Sequence, residues 1–258
     1  MPPTFLDWFN ALETRHTETL TFQEIRRAVQ ALSSIYVERR DRIDHGAVFA
    51  GAGKRAAFGI FFGPLHFLLV REIVRALQAT EPAPQQIVDL GCGSGSAGAA
   101  WAVECGGKPR LLGIDSEAWA VEESKWTYRT LGLRGIARKA SVDTLIIPDK
   151  AGIVAAFTIN ELDKETRQRL LEKLLQAAAR GSSVLIVEPI ARRLTEWWDE
   201  WARRFKGAGG FAEEWRFRVD LPEKLALMDR AAGLNHHELT ARSQWLTESG
   251  SRIYKSRR

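Results

Sequence analysis

The sequence contains little cysteine and little proline. Cys92 and Cys105 are its only cysteines, and nine of its 258 residues are prolines. Two thiols cannot build a disulfide scaffold or supply a four-ligand zinc site by themselves, so both classes of protein are excluded. Two unpaired thiols suit a reducing compartment. We therefore expect a cytoplasmic protein that holds no metal.

The sequence also lacks a long hydrophobic run and a strong charge of one sign. Its longest apolar stretch runs from Phe58 to Val70 and is interrupted by Pro64 and His66, whereas a membrane-spanning helix needs about 20 apolar residues. The first twenty residues show no basic start followed by an apolar core, so no secretory signal and no membrane partner are expected. The net charge of +5 permits an anionic partner without requiring one.

The remaining composition, 45% apolar and 27% charged, is that of a packed globular protein. From residue 2 to about residue 80, apolar residues recur at helical spacing, and Thr21 is a candidate N-cap. Residues 39–63 interrupt this pattern with five glycines, which indicates a flexible segment able to close over a site as a lid. We assign residues 1–80 to a helical extension with this lid and residues 81–258 to a second domain.

Short apolar runs alternate with helical stretches from residue 85 onward. Strands are predicted over 86–90, 111–114, 153–159 and 183–187, and helices over 98–103, 117–131, 164–179 and 221–232. This alternation is typical of a mostly parallel sheet covered by helices on both faces. The sequence therefore predicts a doubly wound α/β fold.

A glycine-rich segment follows the first predicted strand and reads Val88-Asp89-Leu90-Gly91-Cys92-Gly93-Ser94-Gly95. Glycines permit a tight turn with positive φ angles, and because they lack Cβ atoms a ligand can lie against the backbone. The turn leads into a helix whose first amide groups point at that ligand. In open α/β sheets, the binding crevice lies at the carboxyl ends of the strands, where this turn belongs.

The second predicted strand ends in Asp115. A carboxylate at this place can accept hydrogen bonds from the two hydroxyls of a ribose, so the turn and Asp115 together predict a nucleoside-containing ligand. Gly93, Gly95 and Gly98 also match the dinucleotide pattern G-x-G-x-x-G. An NAD(P)-dependent reductase is therefore an alternative.

At this turn, and over about residues 85–190, the sequence resembles the class I S-adenosylmethionine-dependent methyltransferases. The resemblance implies a seven-stranded Rossmann-like sheet, S-adenosylmethionine as cofactor, and an enzyme that transfers a methyl group. In that family the turn packs against the amino-acid part of the cofactor, Asp115 would hold the ribose, and a residue after the third strand contacts the adenine. The cofactor-binding residues so implied are Asp89, Gly91, Cys92, Gly93, Gly95, Asp115, Ser116, Ser141, Asp143 and Phe157.

Three of the residues in this region also have plain structural explanations. Asp89 can orient the turn instead of touching a ligand, and Asp143 can cap a turn. Trp119 can pack on the adenine face or belong to the core. The sequence leaves these alternatives open.

Asn160-Glu161-Leu162 follows the fourth predicted strand, on the acceptor side of the crevice. Members that methylate nitrogen often carry Asn or Asp followed by Pro-Pro-aromatic here, and this chain does not. Asn160 and Glu161 are the candidate catalytic residues, since an amide can donate or accept a hydrogen bond and a carboxylate can act as a base. Glu161 can alternatively cap the helix that begins near Lys164.

A narrower likeness joins Phe157 to Leu162 and Val184 to Pro189 to the ribosomal-small-subunit-associated methyltransferase-like group, although the cysteine cluster usual there is absent. This likeness favours RNA as a partner. A catalytically inactive assembly factor that binds the cofactor is a further alternative to an active enzyme. The basic and aromatic stretch from Arg192 to Lys206 and the basic tail 255–258 would suit RNA. An amphipathic helix with Trp in the core and Arg in water is the favoured interpretation of the first of these.

The prediction of the acceptor rests on the charge and on the composition of the chain. The net charge is modest and no RNA-binding module is appended, which slightly favours a small molecule over RNA. Its apolar pocket would be roofed by Phe58, Phe61 and Phe62. His236 and His237 are expected to be surface or core residues, and the sequence does not determine the oligomeric state.

Overall fold

The computed structural model describes residues 4–38, 51–190 and 197–247. Before the first strand it contains helices α1 (Phe5–Thr17), α2 (Phe22–Glu38), α3 (Ala52–Ala57) and α4 (Gly63–Ala76), with a π-helical turn over Phe58–Phe62. There follow β1 (Gln86–Leu90), α5 (Ser96–Glu104), β2 (Arg110–Asp115), α6 (Ala118–Thr130), β3 (Gly135–Lys139) and β4 (Gly152–Ala156). The rest comprises a 3₁₀ turn (Ile159–Glu161), α7 (Lys164–Ala179), β5 (Ser183–Glu188), α8 (Trp197–Gly207), β6 (Phe211–Phe217), α9 (Glu223–Ala231) and β7 (Leu239–Leu246).

The seven strands form one sheet in the order β3-β2-β1-β4-β5-β7-β6. Strands β1 to β5 are parallel, and β7 pairs antiparallel with both β5 and β6. The predicted doubly wound, mostly parallel fold is thus confirmed. After β3 the chain returns to the other side of β1, so the strand order reverses between β1 and β4, which is where folds of this kind bind ligands.

Side chains on the two faces of the sheet belong to two different hydrophobic clusters. Ile87, Val154 and Leu185 pack with the N-terminal helices, α5 and α6. Their neighbours Val88 and Ile153 pack with α7 and α8. Both faces of the sheet are covered, which explains why these strands read as continuous apolar runs.

Two helix starts follow from local capping. Thr21 and Glu24 form reciprocal hydrogen bonds between side chain and backbone at the start of α2, as the sequence predicts. At α7, the cap is Asp163, whose Oδ1 accepts a hydrogen bond from the backbone N of Thr166 at 2.9 Å. The alternative that Glu161 caps this helix is therefore wrong, because Asp163 already occupies that position.

The prediction of a flexible segment over residues 39–63 is wrong for the part that the structure describes. Residues 52–62 are helical and lead directly into α4. A Cβ atom at Gly59 would lie 2.7 Å from Nε2 of His16, and one at Gly63 would lie 2.8 Å from Oγ of Ser94. These glycines allow the helix to pack closely against its neighbours. The sequence pattern alone had indicated flexibility for the same glycines. Residues 39–50 of the predicted lid lie outside the described residues.

The helical run Ala52–Ala76 is long and apolar enough, by length and composition, to match a membrane span. However, 78% of its most apolar window is buried inside the protein. Phe67, Val70 and Ile73, for example, are fully buried against the rest of the core. The run has the surroundings of a core helix.

Two further expectations change at the edges of elements. The fourth strand ends at Ala156 instead of residue 159, because the chain leaves the sheet at Phe157, whose φ is +60°. The stretch from Trp197 to Lys206 forms an amphipathic helix, which was the alternative to an RNA-binding surface. In this helix, α8, the side chains of Trp197, Trp198 and Trp201 are buried. Indole rings in the core are not available to stack on bases, whereas Arg192 and Arg193 lie outside the described residues.

Candidate active site

A cavity of about 1120 Å³ opens at the carboxyl ends of β1, β2 and β4. The turn after β1 and the residues after β2 and β3 line one part of it. The segment after β4, the end of β5 and the π-helical turn with α4 line the other part. We call these parts the cofactor side and the acceptor side.

The glycine-rich turn forms the floor of the cofactor side. Gly91, Gly93 and Gly95 all have positive φ angles, between 52° and 77°. A Cβ atom at Gly91 would lie 2.3 Å from Cγ2 of Thr158, so only glycine allows the ends of β1 and β4 to approach this closely. The hydroxyl of Thr158 donates a hydrogen bond to the carbonyl oxygen of Leu90 at 3.0 Å and thereby ties the two strand ends together.

Asp115 stands at the end of β2 and lines the cavity. Its Oδ2 accepts a hydrogen bond from the backbone N of Gly93 and its Oδ1 from the backbone N of Glu117, both at 2.9 Å. Burial raises the pKa of this carboxyl, while the two backbone hydrogen bonds act in the opposite direction. Each carboxylate oxygen has a second acceptor site. The pair of oxygens can therefore hold the two hydroxyls of a ribose.

Asp89 lies behind the turn. Its carboxyl group is buried and its Oδ2 accepts a hydrogen bond from the backbone N of Gly98 at 2.8 Å. Burial raises the pKa of Asp89 to about 8. This geometry corresponds to the alternative in which Asp89 orients the turn.

Cys92 is part of the same turn and reaches the cavity wall. Its backbone N donates to the carbonyl oxygen of Ile114 at 3.0 Å, which fixes the turn to β2. Burial raises the pKa of the thiol well above its ordinary value, so the group stays neutral. Cys92 acts here as a small neutral wall residue.

The loop after β3 continues the wall next to Asp115. Ser116, Ser141 and the apolar Val142 line the cavity. Asp143 does not belong to this wall: its carboxylate accepts from Oγ of Ser141 at 2.5 Å and forms an ion pair with Arg169 on α7 at 2.8 Å. Of the two predicted residues in this loop, only Ser141 reaches the cavity.

Trp119 lies near this region but not on the wall. It packs half-buried against the core, with its ring edge-to-face to Phe58 at a centroid distance of 6.2 Å. The core alternative is the one that matches its position.

Asn160 and Glu161 both line the acceptor side. Nδ2 of Asn160 donates to Oε2 of Glu188 at 2.5 Å, and Oδ1 accepts from Nε1 of Trp197 at 2.9 Å. Oε1 of Glu188 accepts from the backbone N of Ile159 at 2.9 Å. The amide of Asn160 thus joins the segment after β4 to β5 and α8.

Sequence reasoning missed three residues of the acceptor side. His66 stacks on Phe157 with a centroid distance of 4.1 Å and an interplanar angle of 22°. Glu188 holds Asn160, and His236 lines the cavity with its Nδ1 2.5 Å from Oδ1 of Asp229. His66 and His236 stand in no local motif, and Glu188 lies in the segment Val184–Pro189 without having been assigned a role there, so only the tertiary structure brings the three together.

The charged side chains on the described wall are mostly carboxylates. They are Asp115, Glu117, Glu161, Asp163, Glu188 and Glu238, and Arg167 is the guanidinium among them. This excess contrasts with the net charge of +5 for the chain. Such a wall favours neutral or cationic ligands over polyanions.

Comparison with known proteins gives structural neighbours only. No family model matches the sequence, and no curated protein does. A Nostoc punctiforme protein provisionally assigned as an O-methyltransferase aligns with a TM-score of 0.53 and 15% identity over 86% of this chain and 69% of its own. The plantazolicin methyltransferase BpumL, solved with S-adenosylhomocysteine, aligns with a TM-score of 0.52 and 13% identity over 92% and 99%.

A third neighbour is the magnesium protoporphyrin IX methyltransferase ChlM of Synechocystis PCC 6803, solved with bound S-adenosylmethionine. It aligns with a TM-score of 0.50 and 14% identity over 71% of this chain and 80% of its own. At these identities the likeness concerns the fold. The chain has the seven-stranded Rossmann-like fold of class I methyltransferases.

Proposed function

We propose that this protein is an S-adenosylmethionine-dependent methyltransferase that acts on a small-molecule acceptor. One observation carries the proposal: the glycine-rich turn and Asp115 meet at a single cavity of about 1120 Å³, which exceeds the roughly 300–1000 Å³ of common ligand pockets. The cavity has room for a nucleoside cofactor and a second ligand. The neighbours ChlM and BpumL hold S-adenosylmethionine or its demethylated product in the same fold.

The residues on the cofactor side fit an adenosine-containing ligand. The backbone from Gly91 to Gly93 is exposed to the cavity without side chains, except for the small Cys92. Asp115 offers two acceptor oxygens for the ribose, while Ser116, Ser141 and Val142 form a small, partly apolar wall for the base. When bound, the cofactor supplies a methyl group already activated on sulfur.

The protein's own work is then to align the acceptor and to exclude water. Phe58, Phe62 and Leu65 form an apolar wall from the N-terminal helical segment. Asn160 holds the segment after β4 in place through Glu188 and Trp197. We assign Asn160 and Glu161 to the acceptor site, and residues 1–80 to a helical extension that completes the cavity of the domain over 81–258.

A small acceptor is favoured over RNA by the charge of the wall. Phosphates would meet the carboxylates of Glu161, Asp163 and Glu238 near the acceptor side. The tryptophans of α8 are buried, which removes the aromatic platform that RNA binding would use. We propose the cytoplasm as the location, because Cys92 and Cys105 are both unpaired.

Isothermal titration calorimetry with S-adenosylhomocysteine and with NAD tests the cofactor. We expect the first to bind and the second not to bind. Asp115→Ala should weaken binding by about 1.5–3 kcal/mol, because charge-assisted hydrogen bonds to the ribose are lost. Asp149→Asn is the matched control and should leave the affinity unchanged, since Asp149 pairs with Arg180 and is not part of the cavity wall. Binding of NAD alone would support a reductase and overturn the proposal.

Methyl transfer is tested separately with a labelled methyl donor. Transfer to small molecules at a rate independent of salt supports the proposal. Tight binding of structured RNA that falls steeply with salt would replace the small acceptor by RNA. Cofactor binding with no transfer to either class would favour an inactive assembly factor.

A further inference from the structure

The pair Asp229 and His236 forms a second polar feature of the acceptor side. Asp229 lies near the end of α9 and its side chain is 6% exposed, while His236 follows in the loop before β7. Oδ1 of Asp229 lies 2.5 Å from Nδ1 of His236, and Oδ2 accepts from the backbone N of His236 at 2.9 Å. The carboxylate therefore fixes both the position and the orientation of this histidine.

The contact with Asp229 also sets the tautomer. An ionised carboxylate only accepts hydrogen bonds, so Nδ1 of His236 carries the proton and Nε2 bears a lone pair in the neutral ring. The ring packs edge-to-face on Phe61 at 5.9 Å and lines the cavity. An imidazole held by a carboxylate with its second nitrogen unprotonated is the arrangement of a general base.

The neighbouring histidine shows that the placement is specific. His237 follows directly in the sequence but is exposed and is not part of the cavity wall. The backbone hydrogen bond from His236 to Asp229 would anchor the loop without any imidazole. The contact between the side chains of Asp229 and His236 additionally orients the imidazole ring at the cavity.

We propose that His236, positioned by Asp229, is the general base for the acceptor, and that the acceptor is an apolar ring compound bearing a hydroxyl group. This inference rests on the proposed methyltransferase function and names its substrate class. Phe58, Phe62, Leu65, Leu69 and Leu239 supply the apolar wall for the ring. A hydroxyl needs a base because it is a weak nucleophile until its proton leaves.

The step balances without a further reactant. The acceptor oxygen forms a bond to the methyl carbon while the carbon–sulfur bond of the sulfonium donor breaks, and that electron pair stays on sulfur. The hydroxyl proton passes to Nε2 of His236. The resulting imidazolium is stabilised by the carboxylate of Asp229 and later releases the proton to water.

The first test needs neither cofactor nor acceptor. Nitrogen-15 NMR of the full chain should show His236 with a protonated Nδ1 and an unprotonated Nε2 in its neutral form. Asp229→Asn should change this tautomer preference, while His237→Gln should leave the His236 signals in place. A His236 ring protonated on Nε2 in the wild type would overturn the proposal.

The second test uses 4-nitrophenol as probe, because its ionised form absorbs at a longer wavelength than its neutral form. Binding to protein saturated with S-adenosylhomocysteine should raise the ratio of ionised to neutral probe about tenfold or more, as expected for a base that pairs with the phenolate. His236→Gln should bind the probe without this shift, and His237→Gln should behave like the wild type. No binding of the probe, or an equal shift in His236→Gln, would overturn the proposal.

Failure of the proposed function gives a different pattern. If S-adenosylhomocysteine does not bind any variant, the methyltransferase assignment fails. The NMR tautomer and the 4-nitrophenol shift in the free protein then still decide whether His236 is a base. Circular dichroism of His236→Gln and His237→Gln confirms that each variant is folded.

Discussion

The cofactor side and the acceptor side of the cavity are held in different ways. On the cofactor side, carboxyl groups accept hydrogen bonds from backbone N–H groups: Asp115 from those of Gly93 and Glu117, and Asp89 from that of Gly98. On the acceptor side, carboxylates also accept from backbone N–H groups, but in addition side chains bind one another, as in Asn160 with Glu188 and His236 with Asp229. Backbone groups are the same in any sequence, whereas side-chain pairs change with each substitution. This difference fits the proposal that the first side holds one constant cofactor and the second a particular acceptor.

The largest effect is expected at Gly91. Alanine there would adopt an unfavourable positive φ and bring its Cβ within 2.3 Å of Thr158. We expect Gly91→Ala to lower the free energy of unfolding by about 2–5 kcal/mol, from backbone strain and overpacking together. Gly106→Ala is the control, because its φ is +68° but no atom lies within 4 Å of the added Cβ. If urea denaturation shows the same loss in free energy of unfolding for both variants, the close approach of the added Cβ to Thr158 does not destabilise the fold.

Asp89 gives the cofactor side a dependence on pH. Its folded pKa of about 8 lies above the ordinary value of 3.8, so the folded state binds a proton that the unfolded state has lost. Stability from this group is therefore fully present below about pH 4 and falls as the pH rises towards 8. Asp89→Asn should remove this decline in denaturation curves measured between pH 4 and pH 8. A variant that declines as the wild type does would show that Asp89 ionises freely in the fold.

Asn160→Ala tests whether the structure of the acceptor side is independent of the cofactor side. The change removes a hydrogen bond to Glu188 and another from Trp197. We expect a loss of about 1–3 kcal/mol in stability and a reduced rate of methyl transfer. Affinity for S-adenosylhomocysteine should stay within about twofold, whereas the exposed Asn10→Ala should change none of these quantities. A parallel loss of cofactor affinity would show that the two sides are coupled.

The smallest effect on stability is expected at Phe157, on the border between the sides. Phe157→Gly relieves the positive φ of +60° but removes the ring that stacks on His66. These contributions oppose each other, so the free energy of unfolding should change by less than about 1 kcal/mol. If Phe157 contacts the cofactor as predicted, calorimetry should show about fivefold weaker binding of S-adenosylhomocysteine, which corresponds to roughly 1 kcal/mol. Unchanged affinity would assign Phe157 to the acceptor side alone.

Local patterns predicted four of the seven strands, β1, β2, β4 and β5, and the glycine-rich turn, whereas β3, β6 and β7 were not predicted by range. Gln86–Leu90 is a strand as expected, and Lys164–Ala179 is the predicted helix. The turn and Asp115 meet because parallel neighbouring strands place their carboxyl ends together. Two segments about twenty residues apart were enough to predict this meeting.

The acceptor side could not be predicted in the same way. His66, Glu188 and His236 come from separate parts of the chain, and their roles arise from contacts across the fold. The glycines of residues 51–63 led to a wrong prediction of flexibility, because the same glycine pattern occurs in loops and in closely packed helices. Only the contact of Gly59 with His16 and of Gly63 with Ser94 distinguishes the two.

The π-helical turn Phe58–Phe62 makes chain length a determinant of the acceptor wall. The backbone N of Gly63 donates to the carbonyl oxygen of Phe58, five residues earlier, so this turn holds one residue more than an α-helical turn. Loss of a single residue here would restore α-helical spacing, while the helices on either side would keep nearly the same orientation because the turn itself absorbs the extra residue. The turn would then hold one side chain fewer, which would change the wall between Phe58 and Phe62 without any substitution in its lining. Insertions and deletions at this turn therefore offer evolution, or an engineer, a direct route to a differently shaped acceptor pocket.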